Sequence, residues 1–168
     1  MRSNRLDATH RSVQEAMVQL IGFASGARQF GADILSVHEI LRQPAVETLE
    51  AGPEFIAGVI RIRGAVIPVV DFAMHMAMSC SVSPPDKQWV LVAKVQECLV
   101  GFIVDAVTHI IRITKDVILP APDLILAGLR NQYIRGVCET EKGLLMVLDL
   151  DRLLRDDEVI TIRGLNAV

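Results

Sequence analysis

Two stretches of the chain say nearly the same thing 78 positions apart, Phe55-Ile-Ala-Gly-Val-Ile-Arg-Ile-Arg-Gly-Ala-Val-Ile-Pro-Val-Val-Asp71 and Tyr133-Ile-Arg-Gly-Val-Cys-Glu-Thr-Glu-Lys-Gly-Leu-Leu-Met-Val-Leu-Asp149. An aromatic, Ile56/Ile134, Gly58/Gly136, Val59/Val137, Val69/Val147 and Asp71/Asp149 coincide without a gap. Two copies are too few for a solenoid, so the repeat divides the chain into two similar halves. A weaker echo at a spacing of 70 aligns Gly31, Val37 and Ile40 with Gly101, Val107 and Ile110, which lengthens one connection in the second half by eight residues.

A chain of 168 residues with 51% hydrophobic content can bury roughly 70% of its unfolded surface in one substantial core. One domain of two similar lobes follows. The formal net charge is only -3, and no long run of like charge offers a footprint for a phosphate backbone or a membrane surface. Cys80, Cys98 and Cys138 are odd in number and lack CxxC spacing, which argues against a disulfide framework and a zinc site and fits a reducing cytosol. No secretory signal pattern opens the chain, and no later run reaches about 18 apolar residues free of charge or proline, so a soluble protein without membrane insertion is expected.

Met17 to Ala24 and Arg28 to Asp33 flank the turn Ser25-Gly26-Ala27 and read as a hairpin. Asp33 is a candidate N-cap for a short helix carrying Ile34, Val37, Ile40 and Leu41 on one face, with His38 and Glu39 directed elsewhere. Val46 to Leu49 is a candidate edge strand between loop signals at Pro44, Gly52 and Pro53. Ile56 to Ile62 and Val66 to Val70 form a hairpin around Arg63-Gly64-Ala65, after which Asp71 caps a short segment to Met78. Ser79 to Lys87, with Pro84-Pro85, is the expected lobe connection. The second half repeats the order with a hairpin over Trp89 to Val104, a strand over His109 to Thr114, a break at Gly128, a hairpin over Tyr133 to Leu148, and Asp149 capping Leu150 to Leu154. Many short strands with little helix place the fold in the all-β barrel or sandwich class. The domain boundaries are an extension over 1–17, a two-lobed domain over 18–158 and a tail over 159–168.

Catalysis has little to stand on. His10, His38, His75 and His109 are scattered without metal-ligand spacing, and the serine-elbow, P-loop and dinucleotide fingerprints are absent. A catalytic site would have to be assembled from distant residues. The run Met74, Met76, Met78 reads as core filler, and Asp71 and Asp149 as repeated caps. Arg61 and Arg63 share one face of their strand, and the matching positions of the second copy are Glu139 and Glu141. Such charges either keep hairpin edges soluble or orient asymmetric partners. Gly64 and Gly143 stand where tight turns call for positive φ.

The string Ile56 to Asp71 resembles the signature hairpin of the CheW family, the chemotaxis coupling proteins. In the same order, Phe30-Gly-Ala-Asp-Ile-Leu-Ser-Val-His-Glu-Ile40 resembles that family's first helix motif, and Gly101-Phe-Ile-Val-Asp-Ala-Val107 its mid-chain motif. Ile118-Leu-Pro-Ala-Pro122 and Tyr133-Ile-Arg-Gly136 resemble its later landmarks. The resemblance covers about residues 18 to 155. It implies a CheW-like fold, mainly β, of two intertwined SH3-like five-stranded β-barrel subdomains with short helices and a groove between the barrels.

The same resemblance implies a cytoplasmic, non-enzymatic adaptor without cofactor or metal. Its partners would be the regulatory domain of a CheA-type histidine kinase and the cytoplasmic tip of chemoreceptors, with no role for nucleic acid. Arg63 matches the family arginine used in receptor coupling and Glu39 the neighbouring acid. Val37, Ile40, Gly58 and Ile62 are candidates for the surrounding groove or kinase-facing surface. Physically, an apolar groove accepts a helix face while a rim arginine fixes register. The chain departs from the family pattern in having Arg61 where asparagine is usual and Phe72-Ala73 where Leu-Arg is frequent. The same scaffold serving pili, development or second-messenger control is one alternative; a small-barrel nucleic-acid binder is another, against which the 4% aromatic content and the lack of a basic stripe count.

Overall fold

The computed structural model describes residues 17–78, 84–123 and 130–166. The amino-terminal extension up to residue 16, the first part of the expected lobe connection with Cys80, and Gly128 lie outside the described residues. The strands are β1 (Met17–Ser25), β2 (Arg28–Asp33), β3 (Val37–Arg42), β4 (Ile56–Ile62), β5 (Ala65–Asp71), β6 (Trp89–Val95), β7 (Cys98–Val104), β8 (Ala106–Thr114), β9 (Ile134–Thr140) and β10 (Gly143–Leu148). Among the described residues they are accompanied by the α-helices α1 (Phe72–His75) and α2 (Asp156–Asn166).

The strands form two five-stranded sheets, in the orders β8-β1-β2-β10-β9 and β3-β6-β7-β5-β4. This mainly β architecture of two subdomains agrees with the expected pair of SH3-like units. The sheets do not follow the two halves of the sequence. Lobe 2 is the continuous run β3 to β7, whereas lobe 1 joins the opening hairpin β1-β2 to the closing strands β8 to β10. The repeat reappears in the register, because Val69 of β5 lies opposite Gly101 of β7 and Val147 of β10 lies opposite Gly31 of β2, both in parallel pairing. These are the residues related by spacings of 78 and 70 in the sequence.

Each sheet has its own apolar interior. Val18, Leu20, Cys138, Leu145 and Val147 fill lobe 1, and Ile60, Ile67, Val69, Val90 and Val92 fill lobe 2. A third and larger cluster lies between the lobes and draws Phe23 and Phe30 from lobe 1 and Phe72 and Phe102 from lobe 2. Phe72 meets Phe23 and Phe30 edge to face, with ring centroids 5.1 Å and 4.9 Å apart, a favoured aromatic geometry. Strand residues on both faces are therefore buried, which explains the continuous apolar runs in β5, β6 and β10.

The short helix expected after Asp33 is replaced by a single 3-10 turn, Ile34–Ser36, followed directly by β3. Asp33 does cap it, its side chain accepting from the Leu35 amide at 2.9 Å. From Val37 onward the backbone is extended because β3 pairs with β6, Leu41 opposite Val90 and Arg42 opposite Trp89. Val37, Glu39 and Leu41 are half-buried while His38, Ile40 and Arg42 are exposed. The register shifts between Val37 and Glu39, so Ile40, opposite Leu91, keeps to the face of Val37, opposite Ala93, while Glu39, opposite Val92, turns to the other face with Leu41.

The expected edge strand at 46–49 reduces to one bridge between Glu47 and Val59. Its repeat counterpart is the bridge between Leu119 and Val137. The segment expected as a tail from residue 159 belongs to α2, which begins before that boundary and buries Val159 and Ile162. Both repeated caps form: Asp71 accepts from the Met74 amide at 3.2 Å, and Asp149 from the Asp151 amide at 3.2 Å.

Candidate functional site

Ile62 pairs with Ala65, which leaves Arg63-Gly64 as a two-residue turn at the tip of the β4-β5 hairpin. Both residues have positive φ, 50° at Arg63 and 82° at Gly64, the conformation that matches the right-handed twist of a tight hairpin. Glycine adopts it freely; arginine pays about 1–2 kcal/mol. The Arg63 side chain, 78% exposed, reaches back to Glu39, with a nitrogen 3.5 Å from Oε1.

Glu39 lies on β3 and Arg63 follows β4, the two outermost strands of the same sheet. Their pairing brings the sheet's first and last strands together and marks where lobe 2 curls shut. A second ion pair follows the same seam, Arg61 Nε to Glu47 Oε1 at 3.2 Å. Both are surface pairs, worth at most about 1 kcal/mol each. The seam thus carries fixed charge at little expense in folding energy.

The other expected residues divide by role. Ile62 is half-buried against the lobe 2 interior, and Val37 is half-buried against the inter-lobe cluster. Ile40 is 39% exposed and is available for contact. Gly58 is buried, and a Cβ there would lie 2.5 Å from the Glu47 carbonyl oxygen. Its repeat mate Gly136 stands equally close to the Leu119 carbonyl, also at 2.5 Å. Gly58 therefore admits a crossing strand segment. Glu47, not singled out from sequence, is the partner missed; the repeated glycines flanked by the two bridges were the available signal.

At the lobe junction a cleft of about 520 Å³ gathers Asp71, His75, Arg130, Arg155 and Glu158. His75 is the last residue of α1 and is buried. Its Nε2 donates to the Leu153 carbonyl, and its ring stacks on Tyr133 at 5.4 Å. Burial pushes its pKa below the ordinary 6.5, and the Leu153 carbonyl and Glu158 pull it partly back. Glu158 accepts from the Arg155 amide at 2.9 Å and pairs with its Nε at 3.5 Å, the backbone half of a capping box at the start of α2. A histidine and carboxylates do meet here, yet Nε2, Glu158 and Asp71 are each engaged by backbone groups. Of the methionine run, Met76 is fully buried core as expected, whereas Met74 is 66% exposed.

Among the described residues no group of three or more His, Cys, Asp or Glu could hold a metal ion, and no helix is long and apolar enough to cross a membrane. Burial raises the Cys138 thiol pKa, which keeps it protonated and unreactive.

A two-lobed β scaffold whose most exposed ordered chemistry is a charged seam belongs with proteins that act by contact. The model of the CheW-like domain matches residues 19–158, and the chain belongs to that family of adaptors. The probable chemotaxis protein CheW of Rhizobium etli is 32% identical over 148 residues, covering 88% of this chain and 94% of the relative. The chemotaxis protein CheW of Rhizobium meliloti is 32% identical over 140 residues, covering 83% and 89%. Protein PilI of Pseudomonas aeruginosa is 31% identical over 144 residues, covering 84% and 79%. The crystal structure of the scaffolding protein TtCheW from Thermoanaerobacter tengcongensis superposes with a TM-score of 0.73 at 24% identity, covering 84% of this chain and 94% of that one, which establishes the shared fold.

Proposed function

We propose that this chain is a cytoplasmic adaptor that couples chemoreceptors to a CheA-type histidine kinase by simultaneous protein contacts, with no catalysis and no cofactor of its own. The observation that carries this reading is the CheW-like match over residues 19–158. Arg63 is the residue assigned to receptor coupling, with Glu39 holding its guanidinium at the seam and Ile40 adding exposed apolar surface beside it. Val37 and Ile62 anchor the two strands from opposite sides of the sheet, Val37 in the inter-lobe cluster and Ile62 in the lobe 2 interior, while Gly58 acts indirectly by letting the chain cross at Glu47.

Co-sedimentation with receptor-containing membranes, with and without the kinase, tests the proposal. Recruitment that raises kinase incorporation and is lost in Arg63→Glu is the expected result. A folded protein recruited by no receptor and no kinase overturns it. The relative named PilI is about as similar as the chemotaxis relatives, which supports a second reading in which the same scaffold serves a non-flagellar pathway. The kinase that co-purifies with the protein separates the two.

A further inference from the structure

The repeat brings one pair of its own equivalent positions into contact. His75 and Leu153 are 78 residues apart, the repeat spacing, and the His75 Nε2 bonds the Leu153 carbonyl. The contact joins the lobes: His75 follows β5 of lobe 2, whereas Leu153 follows β10 and Tyr133 precedes β9, both of lobe 1. His75 is 5% exposed and Tyr133 is 3% exposed. Leu153 is also the point where the chain leaves lobe 1 to lay α2 across β5 and β7 of lobe 2. The far end of α2 is fixed there, for the Asn166 side chain pairs with both the amide and the carbonyl of Leu99 at 3.2 Å and 3.3 Å.

We propose that His75 is an acid-sensitive latch between the two lobes, closed while its ring is neutral and released when the ring gains a proton. A neutral imidazole needs one donor bond, and Leu153 supplies the acceptor. A second proton places a full positive charge where little water reaches. The charged groups around the ring decide how that charge fares. Arg155 at the start of α2 and Arg130 ahead of β9 oppose it, and Glu158 on α2 favours it. Asp71 at the start of α1 and Glu54 ahead of β4 line the same cleft, but Asp71 is engaged by the Met74 amide and Glu54 is exposed. Burial is the largest influence and lowers the proton affinity of the closed state.

An open junction returns the ring to water and to its ordinary affinity, so acid selects the open state. Each unit separating the open and closed pKa values changes the opening equilibrium by up to tenfold. Both lobe interiors lie away from this junction and stay intact. The motion is a loosening of one lobe against the other, pivoting between Leu153 and Arg155, because α2 stays fastened to lobe 2.

The test is amide hydrogen exchange on the full chain between pH 7.5 and pH 5.5, corrected for intrinsic exchange rates, comparing the parent with His75→Gln. The parent should lose several-fold protection in Phe72–Met76 and in residues 150–155, with α2, β6 and β7 unchanged, and His75→Gln should show no such pH dependence. Equal acid sensitivity in both proteins, or none in the parent, overturns the proposal. Should His75→Gln fail to fold, an NMR titration of the parent decides, with the exposed His38 and His109 as references. A His75 pKa below both supports the latch, and a value equal to or above theirs refutes it.

Discussion

Arg63, at the tip of one hairpin, holds Glu39 on the opposite edge strand of the same sheet, 3.5 Å away across the seam of lobe 2. The pair explains how a residue in a strained turn conformation, 78% exposed, keeps a defined orientation. Because it is a surface pair, its contribution to folding is small and its availability to a partner is large.

Arg63→Glu is therefore expected to change folding stability by no more than about 1 kcal/mol, a shift of roughly 2–4 °C in midpoint for a chain of this size. Receptor co-sedimentation should fall sharply over the same comparison. The charge-swapped double variant Glu39→Arg with Arg63→Glu should recover the intramolecular pair without recovering recruitment. Full recovery of binding by the swap would mean that the seam, not the arginine, is recognised.

Gly58→Ala and Gly136→Ala should each destabilise the fold by roughly 1–3 kcal/mol, since the new methyl group would overlap a backbone carbonyl that cannot step aside. Gly64→Ala should cost about 1–2 kcal/mol and no more than the other two, because an added Cβ there meets nothing within 4 Å and only the φ of 82° is unfavourable. Urea denaturation of the three variants orders them. Gly64→Ala emerging as the most damaging would overturn the ranking.

The Tyr133 hydroxyl is buried without a hydrogen-bond partner among the described residues. An unmet buried donor typically costs about 1–3 kcal/mol, so Tyr133→Phe should leave stability unchanged or raise it. Thermal and chemical unfolding at neutral pH measure this, and a clear loss of stability would reveal a partner for the hydroxyl.

Asn166→Ala removes both bonds that the side chain makes to the Leu99 backbone. A loss of about 1–3 kcal/mol is expected, together with faster exchange of the Leu99 amide. Unchanged exchange at Leu99 would show that α2 is held by its apolar face alone.

Global stability should also depend on pH through His75. Its folded pKa lies below 6.5 and its unfolded pKa near that value, so the unfolded chain binds the extra proton first as pH falls. The stabilisation is full above 6.5 and declines as pH drops from there toward the lowered folded value. His75→Gln should flatten the stability profile in that window, which urea titrations at half-unit pH intervals resolve.

Much of this fold was legible in the sequence because the repeat is written in residues whose jobs are local: hairpin turns, caps and glycines at crossings. The helix expected over Asp33 to Leu41 fails on a tertiary fact. Ile34, Val37, Ile40 and Leu41 suit either period, and pairing with β6 decides for the strand. The weaker echo already held the answer, since Val37 and Ile40 align with Val107 and Ile110, which lie in β8. The sequence points to Glu39 and to Arg63 separately, but a helix over Glu39 predicts no contact between them. The burial of His75 left no local trace at all, because its neighbours come from the other half of the chain.

The division of strands between the lobes sets an order of birth. Lobe 2 is one unbroken stretch from Val37 to Val104, so a nascent chain has all its strands in hand as soon as β7 clears the ribosome. The first hairpin, β1-β2, is made earlier but finds its parallel partner only when Leu145 to Val147 emerge. At a synthesis rate of roughly 5–20 residues per second, that hairpin waits several seconds with its inner face uncovered. The oldest part of the molecule is thus the last to be completed, and the interval is when a chaperone would have most to hold.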